Sequence, residues 1–483
     1  MKTYLLAYFC STLLSIVTTS LIIRIAKRSN IMDAPGIRKV HSRPVPRIGG
    51  VAIFVSVMMI IIPVLLFANI PDKTSLFSGY SSVLLLYSVS MIFLAGLIDD
   101  IQGLRAKFKL FTQAAAAIIV CSAGVRISTI TITDSFVLHL GWLSWPITVF
   151  WIVGITNAVN LIDGLDGLAA GICAAACGVI AILTLHFNIP VMTIIMLSML
   201  GALTGFLFFN FNPAKVFMGD SGSLFLGFTI ACSSILCTSK IETVVGLALP
   251  VLALGIPVFD TFFSMLRRFL ERRSIFAPDQ GHFHHRLLAL GLHQRHVVII
   301  AYGLTLITAG LGMFMLITRS IQTLVIFVCV LFLLLLVFRA VGAVRLREVI
   351  ESLKRKHEIS LETKKEKEKF ERLELHFREA KIFDQWWQAV CFAAEEMDFV
   401  NGRMPVTNRD GTTRMLAWDK QKDLCADSGD LLKSTLTLRD RRAGSPLNLE
   451  IQVKANSSLE SAGRRLTLFG RLLEQYSVAN LPN

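Results

Sequence analysis

The chain has 483 residues, a formal net charge of +14 and 54% apolar residues, and its mean hydropathy is +0.62. This apolar content exceeds that of soluble globular domains and predicts a protein that crosses a membrane many times. The basic residues are divided among short loops instead of being clustered on one soluble face, which argues against a nucleic-acid partner. The nine cysteines form no CxxC pair, so no disulfide framework is predicted.

Apolar stretches before residue 339 are long enough for about eleven membrane helices, since each crossing needs ~20 residues. We place them at 4–23, 50–68, 81–98, 110–125, 143–158, 168–186, 190–209, 222–238, 243–265, 297–317 and 321–338. The first stretch lacks a small-residue cleavage site and runs into a basic loop, so it is a membrane helix and not a signal peptide. Lys and Arg are concentrated in alternate loops, which the positive-inside rule places in the cytoplasm together with the tail after residue 339.

The composition changes after Phe338. Residues 340–382 are dense in Lys, Arg and Glu and predict a charged helical linker. Residues 383–483 predict a small α+β domain with strands at 412–418, 433–438 and 447–454, between a helix at Trp386-Trp387 and a helix at 458–477. This domain carries no metal or nucleophile motif, and docking or dimerisation is favoured over ligand sensing. The predicted fold is an all-α polytopic membrane domain (1–339) with a C-terminal cytoplasmic α+β extension.

Four polar runs lie where apolar stretches end, all on the predicted cytoplasmic side. Ionisable groups at membrane depth are costly and therefore indicate function. The first run is Asp99-Asp100, followed by cations that include Lys109. Adjacent carboxylates suit a general base or a metal ligand, whereas the alternative is a charge pair at a helix end.

In the second run, Asn157, Asn160, Asp163 and Asp166 recur every three residues and would form one polar row on a helix. Such a row cannot face lipid, so it must face protein, water or ligand. A helix cap with a turn would explain Asp163 or Asp166, but it would not explain both asparagines.

The third run extends from Asn210 through Gly219-Asp220-Ser-Gly-Ser223. A carboxylate at a helix N-terminus can bind Mg²⁺ while backbone N–H groups face phosphate, although a simple N-cap is the alternative for Asp220. Phe217 offers a flat face to a base. The fourth run is His282-Phe-His284-His285-Arg286, where no cysteine or carboxylate lies at zinc-ligand spacing, so diphosphate recognition is favoured over zinc.

With Pro46-Arg-Ile-Gly-Gly50, these runs closely resemble, in chain order, the polyprenyl-phosphate N-acetylhexosamine-1-phosphate transferase superfamily. The resemblance covers about residues 1–338 and says nothing about the tail. The string His-Phe-His-His-Arg-Leu-Leu is similar to the branch that uses UDP-N-acetylglucosamine or a related UDP-sugar. The branch that makes peptidoglycan lipid has instead three consecutive histidines followed by Phe-Glu.

The resemblance implies transfer of a sugar-1-phosphate, of which GlcNAc-1-phosphate is favoured, from a UDP-N-acetylhexosamine to undecaprenyl phosphate, with release of UMP. It implies Mg²⁺ dependence, with Mn²⁺ as the alternative metal, and a site on the cytoplasmic face of a bacterial inner membrane. A homodimer is a further expectation. The competing hypothesis is a transporter of an anionic solute, but transporters have internal repeats and midplane charges that this sequence lacks.

The resemblance also implies roles for individual residues. Asp99 would accept the proton of the lipid phosphate or orient that phosphate, with Asp100 in support. Asp220, together with Asn160, would ligate the metal. Phe217 and Asp163 would hold uridine. The remaining substrate contacts are assigned to Arg47, Lys109, Asn157, Asp166, His282, His284, His285 and Arg286.

Overall fold

The chain forms two compact units, Met1–Val349 and Ile350–Asn483. The computed structural model describes residues 2–33, 44–67, 80–133, 136–241, 252–270, 274, 281–314, 321–342, 368, 370–407, 412–419, 431–438, 447–454 and 459–477.

Helices dominate the first unit. They are α1 Lys2–Arg28, α2 Gly50–Phe67, α3 Tyr80–Gln102, α4 Ala106–Ser122, α5 Ser144–Ile162, α6 Leu168–His186, α7 Pro190–Asn210, α8 Gly219–Ile241, α9 Gly255–Leu270, α10 Phe283–Ala289, α11 Gln294–Phe314 and α12 Ile321–Ala340. Two antiparallel ribbons join them, β1 (Met32–Asp33) with β2 (Val45–Pro46), and β3 (Thr129–Thr133) with β4 (Phe136–His139).

Within the described residues, 7 helices are long and apolar enough to cross a membrane. The predicted count of about eleven is therefore not confirmed. The apolar parts of α2 and α12 are shorter, and the beginning of the predicted span 243–265 lies outside the described residues. The span predicted at 143–158 is longer than expected, because α5 continues to Ile162 and carries the first two asparagines of the polar row.

Helix α8 lies at the centre of the first unit, and α3 and α5 both pack against it. Its aromatic side chains Phe225 and Phe228 are fully buried. Close approach to α3 depends on Gly96, where a Cβ atom would come within 2.5 Å of the Asp220 carbonyl oxygen. Small residues at a helix crossing let the backbones approach closely. The crossing therefore places the first turn of α8 beside the last turn of α3.

An apolar crevice lies between α2, α3, α7 and α8, and side chains such as Val57, Leu86, Met192 and Thr229 line it. None of the predicted site residues lines it. The polar runs lie at the other end of α3 and α8, where both helices leave the apolar interior.

The second unit contains α13 (Phe383–Glu396), α14 (Leu459–Gln475) and a four-stranded antiparallel sheet in the order β6-β5-β8-β7. The strands are β5 Phe399–Thr407, β6 Thr413–Asp419, β7 Leu431–Leu438 and β8 Leu447–Lys454. Trp386, Phe399 and Phe469 are fully buried in its core. The α+β class predicted for this region is confirmed.

Strand β5 was not predicted from the sequence. Pro405 and Gly402 lower the strand propensity of this segment, since proline cannot donate to a sheet ladder. The register explains why the proline is tolerated. Pairing of β5 with β8 ends at Arg403, whereas pairing with β6 continues through Pro405 opposite Met415. Pro405 therefore lies where β5 has one neighbouring strand, so its missing N–H leaves no acceptor of β8 unpaired.

Because the two units have separate cores, a chain that ends at residue 349 should keep the first unit folded. We expect its thermal unfolding midpoint in detergent to stay within about 5 °C of that of the full chain, since a loss of 1 kcal/mol moves larger domains by only about 2–4 °C. Circular dichroism of the purified membrane unit measures this midpoint. Aggregation of the shortened chain under conditions where the full chain is monodisperse would contradict the separation.

Candidate active site

Three carboxylates and two cations form a carboxylate–cation cluster where α3, α4 and α8 meet. Asp99 and Asp100 end α3, Asp220 begins α8, Lys109 lies on α4, and Arg47 follows β2. The Lys109 Nζ atom is 3.0 Å from Asp99 Oδ2 and 2.8 Å from Asp220 Oδ2. The Arg47 guanidinium is 3.3 Å from Asp100, 3.8 Å from Asp220 and 4.0 Å from Asp99. The cluster unites residues more than 170 positions apart in the sequence.

Backbone hydrogen bonds hold Arg47 at the cluster. The Phe217 N–H donates to the Pro46 carbonyl at 2.8 Å, and the Gly49 N–H donates to the Phe217 carbonyl at 2.9 Å. The Gly50 N–H donates to the Met218 carbonyl at 2.7 Å. This pairing fixes both the cation and the half-buried Phe217 ring relative to the start of α8.

Asp100 caps the first turn of α8. Its Oδ1 accepts the Asp220 N–H at 2.8 Å, and its Oδ2 accepts the Ser221 N–H at 2.9 Å and the Ser221 hydroxyl at 2.6 Å. The first N–H groups of a helix have no partner within the helix, and a carboxylate there is also favoured by the helix dipole. Gly219 makes the contact feasible, since it has a φ of +72° and a Cβ atom would come within 2.5 Å of Asp100.

Asp99 faces a different environment. Its Oδ1 accepts the Leu104 N–H at 2.5 Å, while its Oδ2 faces Lys109, which also contacts Asp220. The Asp99 side chain is 5% exposed and that of Asp220 is 17% exposed, whereas that of Asp100 is fully buried. Asp99 and Asp220 therefore present carboxylate oxygens to a common cation, and Asp100 is directed into the protein.

The polar row of the second run is only partly helical. Asn157 and Asn160 lie on α5, but the helix ends at Ile162, so Asp163 and Asp166 lie in the loop that follows. The prediction of one row on one helix is therefore wrong beyond Ile162. Asn160 Nδ2 donates to the Ser223 hydroxyl on α8 at 2.9 Å, so the amide oxygen of Asn160 points away from Ser223.

Asn157 pairs with Gln113 of α4. The Asn157 amide donates to Gln113 Oε1 at 2.5 Å and to the Val153 carbonyl at 2.8 Å, and Gln113 donates in return at 3.4 Å. Gln113 is almost fully buried. Buried amides need partners, so this pair satisfies both side chains and ties α4 to α5.

Asp163 lies in the electrostatic field of the cluster. The pKa of Asp163 is raised to about 8, mainly by burial; the negative charges of Asp220 and Asp100 act in the same direction, and Arg47 opposes them. A carboxyl group with this pKa is mostly protonated at neutral pH and can donate a hydrogen bond.

Asp166 ties the second run to the third. Its Oδ2 accepts the Asn212 side-chain amide at 2.9 Å and the Ala214 N–H at 3.0 Å. Asn210 reinforces the link by accepting the Gly167 N–H at 3.1 Å. Asp166, predicted as a substrate contact, is thus engaged in positioning the loop before α8.

The fourth run begins α10, and its rings pack together. The His284 ring lies against Gly164, where a Cβ atom would be 2.8 Å from His284 Nε2, and it is stacked with His282 at 5.8 Å between ring centroids. His285 lies 4.3 Å from His284 between ring centroids. Burial lowers the pKa of His284 to about 3, so this ring is neutral at physiological pH.

Two buried polar atoms of this run have no hydrogen-bond partner among the described residues. They are His284 Nδ1 and Arg286 Nε. Buried polar groups in folded proteins are nearly always satisfied, so such atoms mark a place where a ligand or water completes the hydrogen bonding. The contact of His284 with the loop of Asp163 joins this run to the site.

The donor set of the cluster fits a hard divalent cation. Carboxylate oxygens of Asp99 and Asp220 already face one cationic group, Lys109. Within the described ranges there is no metal site made of three or more His, Cys, Asp or Glu side chains, so a cation bound here would need ligands besides these side chains. Mg²⁺ is usually bound through one or two protein carboxylates together with water and substrate phosphates, which is compatible with this arrangement.

Sequence reasoning missed Gln113 and Asp260 as site-supporting residues. Asp260 of α9 contacts His282 Nδ1 at 2.9 Å, and both side chains are buried. Gln113 is the only amide side chain of the predicted span 110–125, and Asp260 is the only charged side chain of the predicted span 243–265, which is the feature that could have identified them.

Comparison with known proteins places these residues in a family context. Residues 82–238 match the family model of glycosyl transferase family 4. A Bacillus subtilis protein named "Probable undecaprenyl-phosphate N-acetylglucosaminyl 1-phosphate transferase" is 39% identical over 299 residues, covering 61% of this chain and 80% of the relative. An undecaprenyl-phosphate alpha-N-acetylglucosaminyl 1-phosphate transferase of Thermotoga maritima is 31% identical over 302 residues, covering 62% and 88%.

A phospho-N-acetylmuramoyl-pentapeptide-transferase of Oceanobacillus iheyensis is also similar, with 34% identity over 286 residues that cover 56% of this chain and 83% of the relative. The similarity thus extends to relatives whose names give different sugar groups, N-acetylglucosaminyl and N-acetylmuramoyl-pentapeptide.

The capping role of Asp100 predicts a stability effect. Asp100→Asn should lower the thermal unfolding midpoint in detergent, because an amide NH₂ would face at least one of three donors and leave it unsatisfied. Leaving this buried donor unsatisfied should lower the free energy of unfolding by about 1–3 kcal/mol. Asp99→Asn is the matched control and should cost less, since an amide oxygen can still accept the Leu104 N–H and Lys109 keeps Asp220 as its partner. An equal or larger loss for Asp99→Asn would contradict the assignment.

Proposed function

Since the chain belongs to glycosyl transferase family 4, within the polyprenyl-phosphate N-acetylhexosamine-1-phosphate transferase superfamily, we propose that it transfers GlcNAc-1-phosphate from UDP-GlcNAc to undecaprenyl phosphate. The reaction would release UMP and start a lipid-linked glycan of the cell envelope. It would take place at the cytoplasmic face of a bacterial inner membrane, where the basic loops are predicted to lie.

One observation carries the proposal. The carboxylate–cation cluster joins the first and third polar runs, together with Arg47, at one end of α3 and α8. The loop of Asp163 lies in the field of this cluster, and the histidine run (His282–Arg286) contacts that loop. A transfer between two phosphates exchanges one phosphoanhydride for another, so the protein mainly has to position the reactants and neutralise their charge. A cluster of fixed charges at the membrane surface suits both tasks.

Charge balance supports a divalent cation as part of the reaction. The three carboxylates of the cluster carry a formal charge one unit larger than that of Arg47 and Lys109 together. A donor diphosphate brings further negative charge, which a metal ion would offset. In this proposal Asp220 and the Asn160 amide oxygen would hold Mg²⁺, which would supply positive charge to the diphosphate.

Asp99 is the carboxylate assigned to the acceptor. Its Oδ2 faces Lys109, whereas both oxygens of Asp100 are engaged by the first turn of α8. Asp99 would take up a proton from the acceptor phosphate, and Lys109 would hold that phosphate near the donor. Asp100 would support the reaction indirectly by fixing the position of Asp220.

The donor is assigned to Phe217, Asp163 and the histidine run. Phe217 presents a half-buried ring to the base, and protonated Asp163 offers a hydrogen-bond donor to the nucleotide. Arg286 and the histidines would contact the diphosphate. The string His282-Phe-His-His-Arg286 is similar to the branch of the superfamily that uses UDP-N-acetylglucosamine or a related UDP-sugar. This similarity supports GlcNAc over N-acetylmuramoyl-pentapeptide as the sugar portion of the donor.

Washed membranes supplied with radiolabelled UDP-GlcNAc and undecaprenyl phosphate test the proposal. We expect label in organic-extractable lipid when Mg²⁺ is present and its loss when EDTA removes the metal. Asp220→Asn should fold but require at least ~10-fold more Mg²⁺, because an amide is a weaker ligand for this ion than a carboxylate. Label that enters vesicles without appearing in lipid would instead support the transporter hypothesis.

The division of roles predicts opposite kinetic effects of two substitutions. Asp99→Asn should lower turnover about 10²–10⁴-fold, the usual contribution of positioned proton transfer, while UDP-GlcNAc affinity stays within several-fold of wild type. Phe217→Ala should weaken nucleotide binding with a smaller effect on turnover at saturation. Calorimetry and turnover measurements on both variants separate these effects. Loss of nucleotide binding in Asp99→Asn with unchanged turnover would reverse the assignment.

A further inference from the structure

Asp260 is a buried carboxylate that the reaction described above does not use. It lies on α9, is 3% exposed, and faces the first residues of α10. Its Oδ2 is 2.9 Å from His282 Nδ1, and its Oδ1 accepts the Phe283 N–H at 2.8 Å. The two oxygens thus hold one side chain and one backbone group of adjacent residues.

A second side chain of α9 contacts the same segment. The Arg267 guanidinium lies against Gly281, directly before His282, so closely that a Cβ atom there would overlap it. Asp260 and Arg267 are two helical turns apart and therefore share a face of α9. The start of the histidine run is held against that face at two points.

The hydrogen bond restricts what the His282 ring can do. A carboxylate at Nδ1 accepts a hydrogen bond, so it favours the form of the ring that carries a proton on Nδ1. Carboxylates that pair with functional histidines in this way fix both the tautomer and the ring orientation. Any phosphate contact of His282 must then be made through Nε2.

The orientation of His282 extends to its neighbours. Its ring plane is within 10° of that of His284, and the edge of His284 lies against Gly164 in the loop of Asp163. Rotation of the His282 ring would disturb this stack. A line of contacts therefore runs from Asp260 through His282 and His284 to the loop of Asp163.

We propose that Asp260 is a positioning residue that acts through His282, orienting the histidine run toward the diphosphate of the donor. The inference rests on the proposed function, since it assigns Asp260 to the same site. Asp260 does not touch the substrate. Asp260 orients the His282 ring, which contacts the substrate, so Asp260 contributes to the reaction only while His282 is present.

A double-mutant cycle tests this dependence. The variants are Asp260→Asn, His282→Gln and the double variant, and the measurements are kcat and the KM for UDP-GlcNAc per folded protein. Asp260→Asn should lower kcat by about 10–100-fold, the range found when a carboxylate that orients a metal-binding histidine is removed. The double variant should be no slower than His282→Gln alone, because residues that act through one another are not additive.

Matched variants separate positioning from folding. Thr261→Val alters the neighbouring buried position of α9 and should leave kcat within twofold. Asp260→Glu keeps the carboxylate and should recover part of the kcat lost in Asp260→Asn, and it replaces that variant in the cycle if Asp260→Asn does not fold. Additive losses in the double variant, or an unchanged kcat in folded Asp260→Asn, would overturn the inference. Failure of the proposed function would appear differently, as an absence of lipid labelling by the wild-type protein.

Discussion

The contact between Asp100 and the first turn of α8 is the interaction on which the site depends. It joins the end of one apolar helix to the beginning of another through three hydrogen bonds to a fully buried side chain. A buried carboxylate is stable only where its oxygens are satisfied, and a helix N-terminus provides N–H groups with no other partner. The carboxylate of Asp100 therefore gains the donors that it needs, and the N–H groups of α8 gain an acceptor. This pairing also fixes the position of Asp220.

The same constraint shapes the surroundings of the cluster. Polar groups that lie among apolar helices require partners, and most of the site residues have them on a different helix. Asn157 pairs with Gln113, Asn160 with Ser223, and His282 with Asp260. These pairs fix α4 against α5, α5 against α8, and α9 against the start of α10. The polar residues thus contribute to packing as well as to chemistry, which agrees with the cost of leaving such groups unpaired.

Charge is divided within the site in a way that suits a transfer between phosphates. Asp99 and Asp220 share the ammonium of Lys109 at the more accessible edge, while Asp163 is kept largely neutral by burial and by the neighbouring carboxylates. His284 is neutral for a related reason, since burial disfavours its charged form. Side chains of the same chemical type, such as the carboxyl groups of the site, therefore differ in charge because their surroundings differ.

The sequence by itself determined the class of the protein and the composition of its site. Apolar length and the order of the polar runs predicted a multi-pass membrane enzyme of the superfamily, and the comparisons confirm that family. The assignments of individual residues to substrates and metal stay predictions. The tertiary structure decided which residues are partners: Asp100 caps a helix 120 residues away, Asp166 holds a loop, and Asp260 supports a histidine. A hydrogen bond depends on distance and direction in space, and neither is encoded in the spacing of residues along a chain that folds back on itself repeatedly.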